Sequence, residues 1–296
     1  MPIEDDILLS SKIERGGNAM EYLYKYRELD DDDGEKLKRT LDIIENHRLY
    51  FPTRDGLNDP LEGMKQPIYF GYMGARRYID LGLVQPQVKD YLNKFRILSL
   101  CAEGDNMQMW AHYANNYNGV CIAFKKNQGI FRAARQISYT NERLKYVEFP
   151  DETCISEPNE KNLIKNNLLS KSKNWRYEKE WRIIKKTDEQ FLYFDKDDIA
   201  EVIIGDLDSI SEKDLYAIYV ACKIHKIPLF YTRTNVDKYQ LEKYHFVWTE
   251  YNAGHYNVNS WPSIIVYENG GVQKVRIYSD VNDLLDKPAN KKSSSK

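Results

Sequence analysis

The sequence predicts an α+β fold: a mixed, mostly antiparallel central sheet with flanking helices. Three observations carry this. Short β-branched and apolar runs at 97–102 (ILSLCA), 119–124 (GVCIAF), 180–185 (EWRIIK) and 201–204 (EVII) are bounded by Gly, Asn and Asp, as strands are. Segments with apolar residues at helical spacing interrupt these runs. With 42% hydrophobic residues in a chain of 296, there is enough apolar surface to bury one large core or two small ones.

Taken in order, Glu21 to Arg27 is short and aromatic and suits a first strand. The acidic run Asp30 to Asp33 with Gly34 breaks it, and Leu37, Leu41, Ile43 and Ile44 then recur at helical spacing up to His47. Leu49 to Phe51 opens a second strand. Pro52 to Glu62 is rich in turn residues and reads as a loop, and Tyr69 to Asn93 as one or two helices. Met107 to Asn115 is a helix between the strands at 97 and 119, and Asn162 to Lys173 a polar helix before the strand at 180. Ser211 to Lys226 begins with a Ser-x-x-Asp cap and is stopped by Pro228 ahead of the strand Leu229 to Thr232. Ser263 to Tyr267 and Val272 to Tyr278 alternate around Asn-Gly-Gly as a hairpin. The expected organisation is an N-terminal arm (1–20), one α+β domain (21–248), a β-hairpin extension (249–286) and a disordered tail (287–296).

Composition removes several functions. Lys+Arg 43 against Asp+Glu 45 gives a net charge of −2, without the positive field of a dedicated duplex-DNA binder. The acidic start lacks the character of an export signal, and no apolar run reaches membrane-spanning length, so a cytoplasmic protein with no membrane partner is expected. Cys101, Cys121, Cys154 and Cys222 are scattered, and the first two and the last sit in apolar surroundings that suit buried thiols. None of the five His has ligand spacing to another His or to a Cys, so no metal is expected.

Four clusters could carry chemistry. The first is DNMQMWAHY (105–113), whose Trp110, His112 and Tyr113 suit either a packed core or a cleft wall on which His112 moves protons. In KSKNWRYEKEWR (171–182), strand alternation would put Glu178, Glu180 and Arg182 on one face, either as a solvated edge or as paired carboxylates at the rim of a core. Asn58-Asp59-Pro60 with Glu62 reads as an Asx turn before a helix. On the first strand, beside Tyr26, Lys25 and Arg27 share a face and could receive a phosphate.

Together the segments LYKYR, LYF…LNDPLE, LSLC…MWAHYANNYNGVCIAF, YEKEWRII and EVIIG closely resemble, over Tyr22 to Trp248, a bacterial family known as domain of unknown function 2971. More loosely, the outline is similar to ADP-ribosyltransferases, including toxins that modify nucleic acid. That resemblance implies a split sheet, Arg27 on the first strand holding NAD, Tyr50 or Thr53 on the second, and Glu180 as catalytic carboxylate preceded by Glu178. It further implies NAD as substrate; on this chain's own residues, Lys25, Tyr26, Asn58, Asp59, Trp110, Tyr113 and Arg182 are the expected further contacts, with Tyr50 and Tyr113 as candidates to sandwich the nicotinamide. The acceptor would be a macromolecule, RNA or DNA before protein, and the setting a toxin or phage-defence system with an antitoxin or other partner. Three departures stand out: the second strand lacks Ser-Thr-Ser, the Trp110 to Tyr113 element is not part of that pattern, and the loop Asn58 to Glu62 is peculiar to the first family. The competing expectation is metal-free RNA cleavage by His112 and Glu180, or single-strand binding, in a cleft of Lys25, Arg27, Lys171, Lys173, Arg176 and Arg182.

Overall fold

An eight-stranded sheet organises residues 1–246, one of two compact units; the other is 247–296. The computed structural model describes residues 22–29, 34–62, 69–72, 89–142, 146–149, 160–235, 237–248, 264–265 and 277–278. The expected N-terminal arm, the C-terminal tail and Cys154 lie outside them.

The first strand, β1 (Tyr22–Glu28), is followed by α1 (Glu35–Asn46), which starts after Gly34 and ends at His47, both in left-handed conformation. Its buried Thr40, Ile43 and Ile44 pack it inward, as the apolar spacing predicts. Next, β2 (Arg48–Tyr50) pairs with β11 (Phe191–Tyr193) as a separate two-stranded ribbon. In place of the helix expected from Tyr69, β3 (Tyr69–Tyr72) runs parallel to β8 (Tyr146–Phe149). Residues 73–88 are outside the described set, and 89–93 are helical.

β4 (Phe95–Cys101), α2 (Met107–Tyr113) and β5 (Gly119–Lys125) follow. The turn from α2 to β5 uses Asn115, Asn116 and Tyr117 in succession at positive φ, a conformation that asparagine tolerates better than most residues. β6 (Arg135–Gln136) and β7 (Ser138–Thr140) come next. The helix expected over Asn162 to Lys173 is shorter: α3 (Glu160–Leu163) passes into a π-helical turn (Ile164–Leu168), then β9 (Ser170–Ser172) pairs with β7. β10 (Glu180–Lys186), β12 (Ile199–Ile204), α4 (Glu212–His225), β13 (Leu229–Thr234) and β14 (Leu241–His245) complete the unit. In 247–296, β15 (Ile264–Ile265) and β16 (Ile277–Tyr278) pair antiparallel, where the sequence predicts a hairpin.

The sheet order is β14-β13-β12-β5-β1-β4-β10-β6, antiparallel except for β12 beside β13, which α4 connects. One junction differs from the rest. β1 pairs with β5 along its whole length, from Tyr22 opposite Lys125 to Glu28 opposite Gly119, but it meets β4 at a single register position, Tyr24 opposite Cys101. β4 in turn pairs with β10 throughout, from Glu180 opposite Cys101 to Lys186 opposite Phe95. Beyond Tyr24 and Cys101 the two halves of the sheet therefore separate.

Under one face of this junction lies the core formed by Tyr26, Cys101, Met109, Trp110, Cys121 and Ile203. Trp110 is wholly buried; it donates Nε1–H to the Gly104 carbonyl at 2.9 Å, meets Tyr26 edge-on and stacks on Tyr117. Cys101, Cys121 and Cys222 are buried free thiols, and burial pushes Cys101 and Cys222 up to about 12.

Candidate functional site

Where β1 and β4 separate, a cavity of about 380 Å³ opens, within the range of small-ligand sites. β1 contributes Lys25, Tyr26 and Arg27, and β4 contributes Ser99 and Cys101. Across from β1 stand Lys171, Glu178, Glu180 and Arg182, with Asn58, His112 and Tyr113 completing the wall.

The split leaves β4 carbonyl and amide groups without a strand partner, and side chains and loop take its place. Lys25 donates Nζ–H to the Ser99 carbonyl at 3.0 Å, and Ile97 donates its amide to the Pro52 carbonyl at 2.8 Å. Burial and the neighbouring Arg27 charge lower the Lys25 ammonium to about 8, against the pull of Glu180. Arg27 is half-buried, and its Nε has no partner among the described residues.

Opposite lies a buried ionic cluster of Glu62, Glu178, Glu180, Lys171 and Arg182. Lys171 Nζ is 3.0 Å from Glu62 Oε1, 2.5 Å from Glu178 Oε2 and 3.2 Å from Glu180 Oε2. Arg182 donates Nε–H to Glu180 Oε1 at 2.6 Å, Nη2–H to Glu180 Oε2 at 2.9 Å, and reaches Glu62 and the Leu168 carbonyl as well. Three carboxylates against two cations leave one negative charge in excess. Burial alone would raise Glu180, but Arg182 and Lys171 overcome it and hold its carboxyl at about 2. Glu178 goes the other way: burial raises it despite Lys171 and the hydrogen bonds it accepts.

Glu178 does not belong to the strand. It ends the 3₁₀ turn Lys173–Glu178, and Lys179 at φ 44° reverses the chain before β10 starts at Glu180. The expected shared face of Glu178, Glu180 and Arg182 therefore does not come from strand alternation; the kink and Lys171 bring the two carboxylates together. Tyr113 donates its hydroxyl to Glu178 Oε1 at 2.5 Å and accepts from Asn58 Nδ2 at 3.1 Å. Asn106 fixes this geometry from below. Its side chain caps α2 by accepting from the Gln108 and Met109 amides and donates to the Tyr177 carbonyl at 2.6 Å, one residue before Glu178.

Of the residues singled out from the sequence, Lys25, Tyr26, Arg27, Asn58, His112, Tyr113, Glu178, Glu180 and Arg182 line this one cavity. His112 is exposed at its rim, its ring 5.8 Å from Tyr177. Four others do not line it. Trp110 is core, packed beneath α2 rather than on the wall. Tyr50 is 59% exposed on the β2–β11 ribbon against Phe191, because alternation turns Leu49 inward and Tyr50 out. Thr53 bridges to Arg96 beside β4. Asp59 is buried and accepts the Leu61 amide at 2.8 Å, the Asx turn that its Asn-Asp-Pro context predicts. The supposed basic cleft is also smaller, since Lys171 and Arg182 are bound to carboxylates. Glu62 and Lys171 are the members that sequence reasoning undervalued: Glu62 meets Arg182 across 120 residues, a distance over which no local pattern speaks. Among the described residues no group of three or more His, Cys, Asp or Glu is arranged to hold a metal ion, and no helix is long and apolar enough to cross a membrane.

Residues 109–183 match the family described as Protein of unknown function (DUF2971). The match takes in Tyr113, Lys171, Glu178, Glu180 and Arg182. No curated protein and no solved structure matches the chain.

Proposed function

We propose that this protein is an NAD-dependent ADP-ribosyltransferase that modifies a macromolecule, with nucleic acid the favoured acceptor. One observation supports it above the others: the sheet opens between β1 and β4, with cationic Lys25 and Arg27 on one lip and the carboxylates Glu178 and Glu180 on the other. NAD presents the complementary pattern, an anionic pyrophosphate at its centre and, joined to it, a ribose bearing a cationic nicotinamide.

Breaking the nicotinamide–ribose bond builds positive charge on the ribose, and fixed carboxylates beside it stabilise such charge. Glu180, ionised and locked by Arg182 and Lys171, supplies a permanent field. Glu178 is better placed for the hydrogen bond to a ribose hydroxyl, since among the described residues only the Tyr113 hydroxyl holds its Oε1, which can accept a second hydrogen bond from the substrate. Arg27 would receive phosphate oxygens on its free Nε edge, and the Tyr113 ring would offer a stacking surface.

Incubation with NAD labelled on the adenylate, together with RNA, DNA and protein fractions of a lysate, tests the reading. Label passing to one fraction with matching nicotinamide release is the expected result and identifies the acceptor class. Salt-dependent RNA binding or cleavage without NAD would replace it.

A further inference from the structure

We propose that Lys25 is a carbonyl-trapping amine that forms an imine with the open-chain aldehyde of a phosphorylated aldose held in the split between β1 and β4. The inference goes beyond NAD cleavage and does not depend on it.

The surroundings of the two cavity lysines differ in kind. Lys171 is bound by three carboxylates, which raise its ammonium against the opposing effect of burial and commit it to its charge. Among the described residues Lys25 makes one hydrogen bond, to the Ser99 carbonyl, and no carboxylate lies within ion-pairing distance of it, because Lys171 and Arg182 occupy those nearby. A half-buried amine without a counter-ion sheds its proton readily; with Lys25 at about 8, roughly a tenth is free base at neutral pH. The free base is the nucleophile.

The same strand supplies an anion contact. Arg27 lies two residues on, on the same face of β1, and its buried Nε is unpartnered among the described residues. Its guanidinium suits a phosphate. An aldehyde carrying a phosphate would meet both groups from one strand.

The chemistry balances without an oxidant or reductant. The Nζ lone pair adds to the aldehyde carbon and a proton moves from nitrogen to the carbonyl oxygen, giving a carbinolamine. This loses its hydroxyl as water, assisted by a proton from a cavity acid, and nitrogen releases its remaining proton to leave the imine. Glu178, whose carboxyl burial keeps more protonated than usual, is the acid at hand.

The test treats the full-length protein with ribose 5-phosphate and sodium cyanoborohydride, followed by intact mass and peptide mapping. The expected outcome is one reduced adduct on Lys25, formed at least about ten-fold faster than on any other lysine and than with unphosphorylated ribose. Lys25→Arg keeps a cation for the Ser99 carbonyl and so keeps the fold; it is expected to lose the adduct. Arg27→Gln is expected to erase the preference for the phosphorylated sugar while leaving Lys25 reactive. Adducts spread over exposed lysines such as Lys173 and Lys179, persistence of the adduct in Lys25→Arg, or binding of ribose 5-phosphate with no adduct on Lys25 would each overturn the inference.

Discussion

Tyr24 stands opposite Cys101 at the single register position where β1 meets β4, and the two halves of the sheet diverge from that pair. Everything assigned to the site depends on this separation: it frees the Ser99 carbonyl for Lys25 and leaves room for a ligand between Arg27 and Glu178.

The strand geometry beside the split tolerates no extra atom. A Cβ on Gly119 would lie 2.3 Å from the Arg27 carbonyl oxygen, a backbone atom that cannot swing away. Gly119→Ala is expected to push β5 off β1 and cost about 1–3 kcal/mol, read as a lower midpoint in denaturant. Because Arg27 moves with the shift, phosphate affinity should weaken as well.

Glu180 ties acid stability to the buried cluster. Its folded carboxyl titrates at about 2, below the unfolded value of roughly 4.3. A depressed carboxyl contributes stability that is full above the unfolded value and is lost as pH falls from there through about 2. Glu180→Gln should therefore flatten the loss of stability across that window. It should also lower stability at pH 7 by about 3–5 kcal/mol, since Arg182 and Lys171 lose a buried partner. Thermal melts of both proteins between pH 2 and 7 check the two effects.

Tyr113 separates positioning from packing. Tyr113→Phe retains the ring and removes the hydroxyl that holds Glu178 Oε1. The expected cost in stability is about 1–3 kcal/mol. If Glu178 acts on the ribose, misplacing it should lower kcat for NAD cleavage about ten- to a hundred-fold with little change in KM. A purely structural role would leave kcat unchanged in the folded variant.

Trp110 gives the opposite pattern. It is fully buried between Tyr26 and Tyr117, so Trp110→Ala is expected to cost about 3–5 kcal/mol in urea unfolding.

The sequence makes the elements of this site legible more readily than their meeting. The aromatic run of β1, the apolar spacing of α1 and the β-branched stretch of β10 are local signals, and each element forms where they occur. Strand β14 (LEKYH) has little apolar alternation to mark it in the sequence: it is a sheet edge whose Lys243 reaches over β13 to Glu201 on β12, 2.7 Å away. Tyr69–Tyr72 becomes a strand because Tyr146–Phe149 lies alongside, a partner some 75 residues away that propensity does not register. The cluster was half visible. Glu178, Glu180 and Arg182 stand in one motif, but Glu62 in a turn-rich loop and Lys171 in a polar segment acquire their roles only through burial against that motif.

The most direct test of the central claim is nicotinamide release from NAD by the folded wild-type protein and by Glu178→Gln, each checked by circular dichroism, with lysate acceptor present. The account predicts release by wild type and a fall of about a hundred-fold or more in the variant. Absence of release by folded wild type with every acceptor fraction, or equal release by Glu178→Gln, would contradict it.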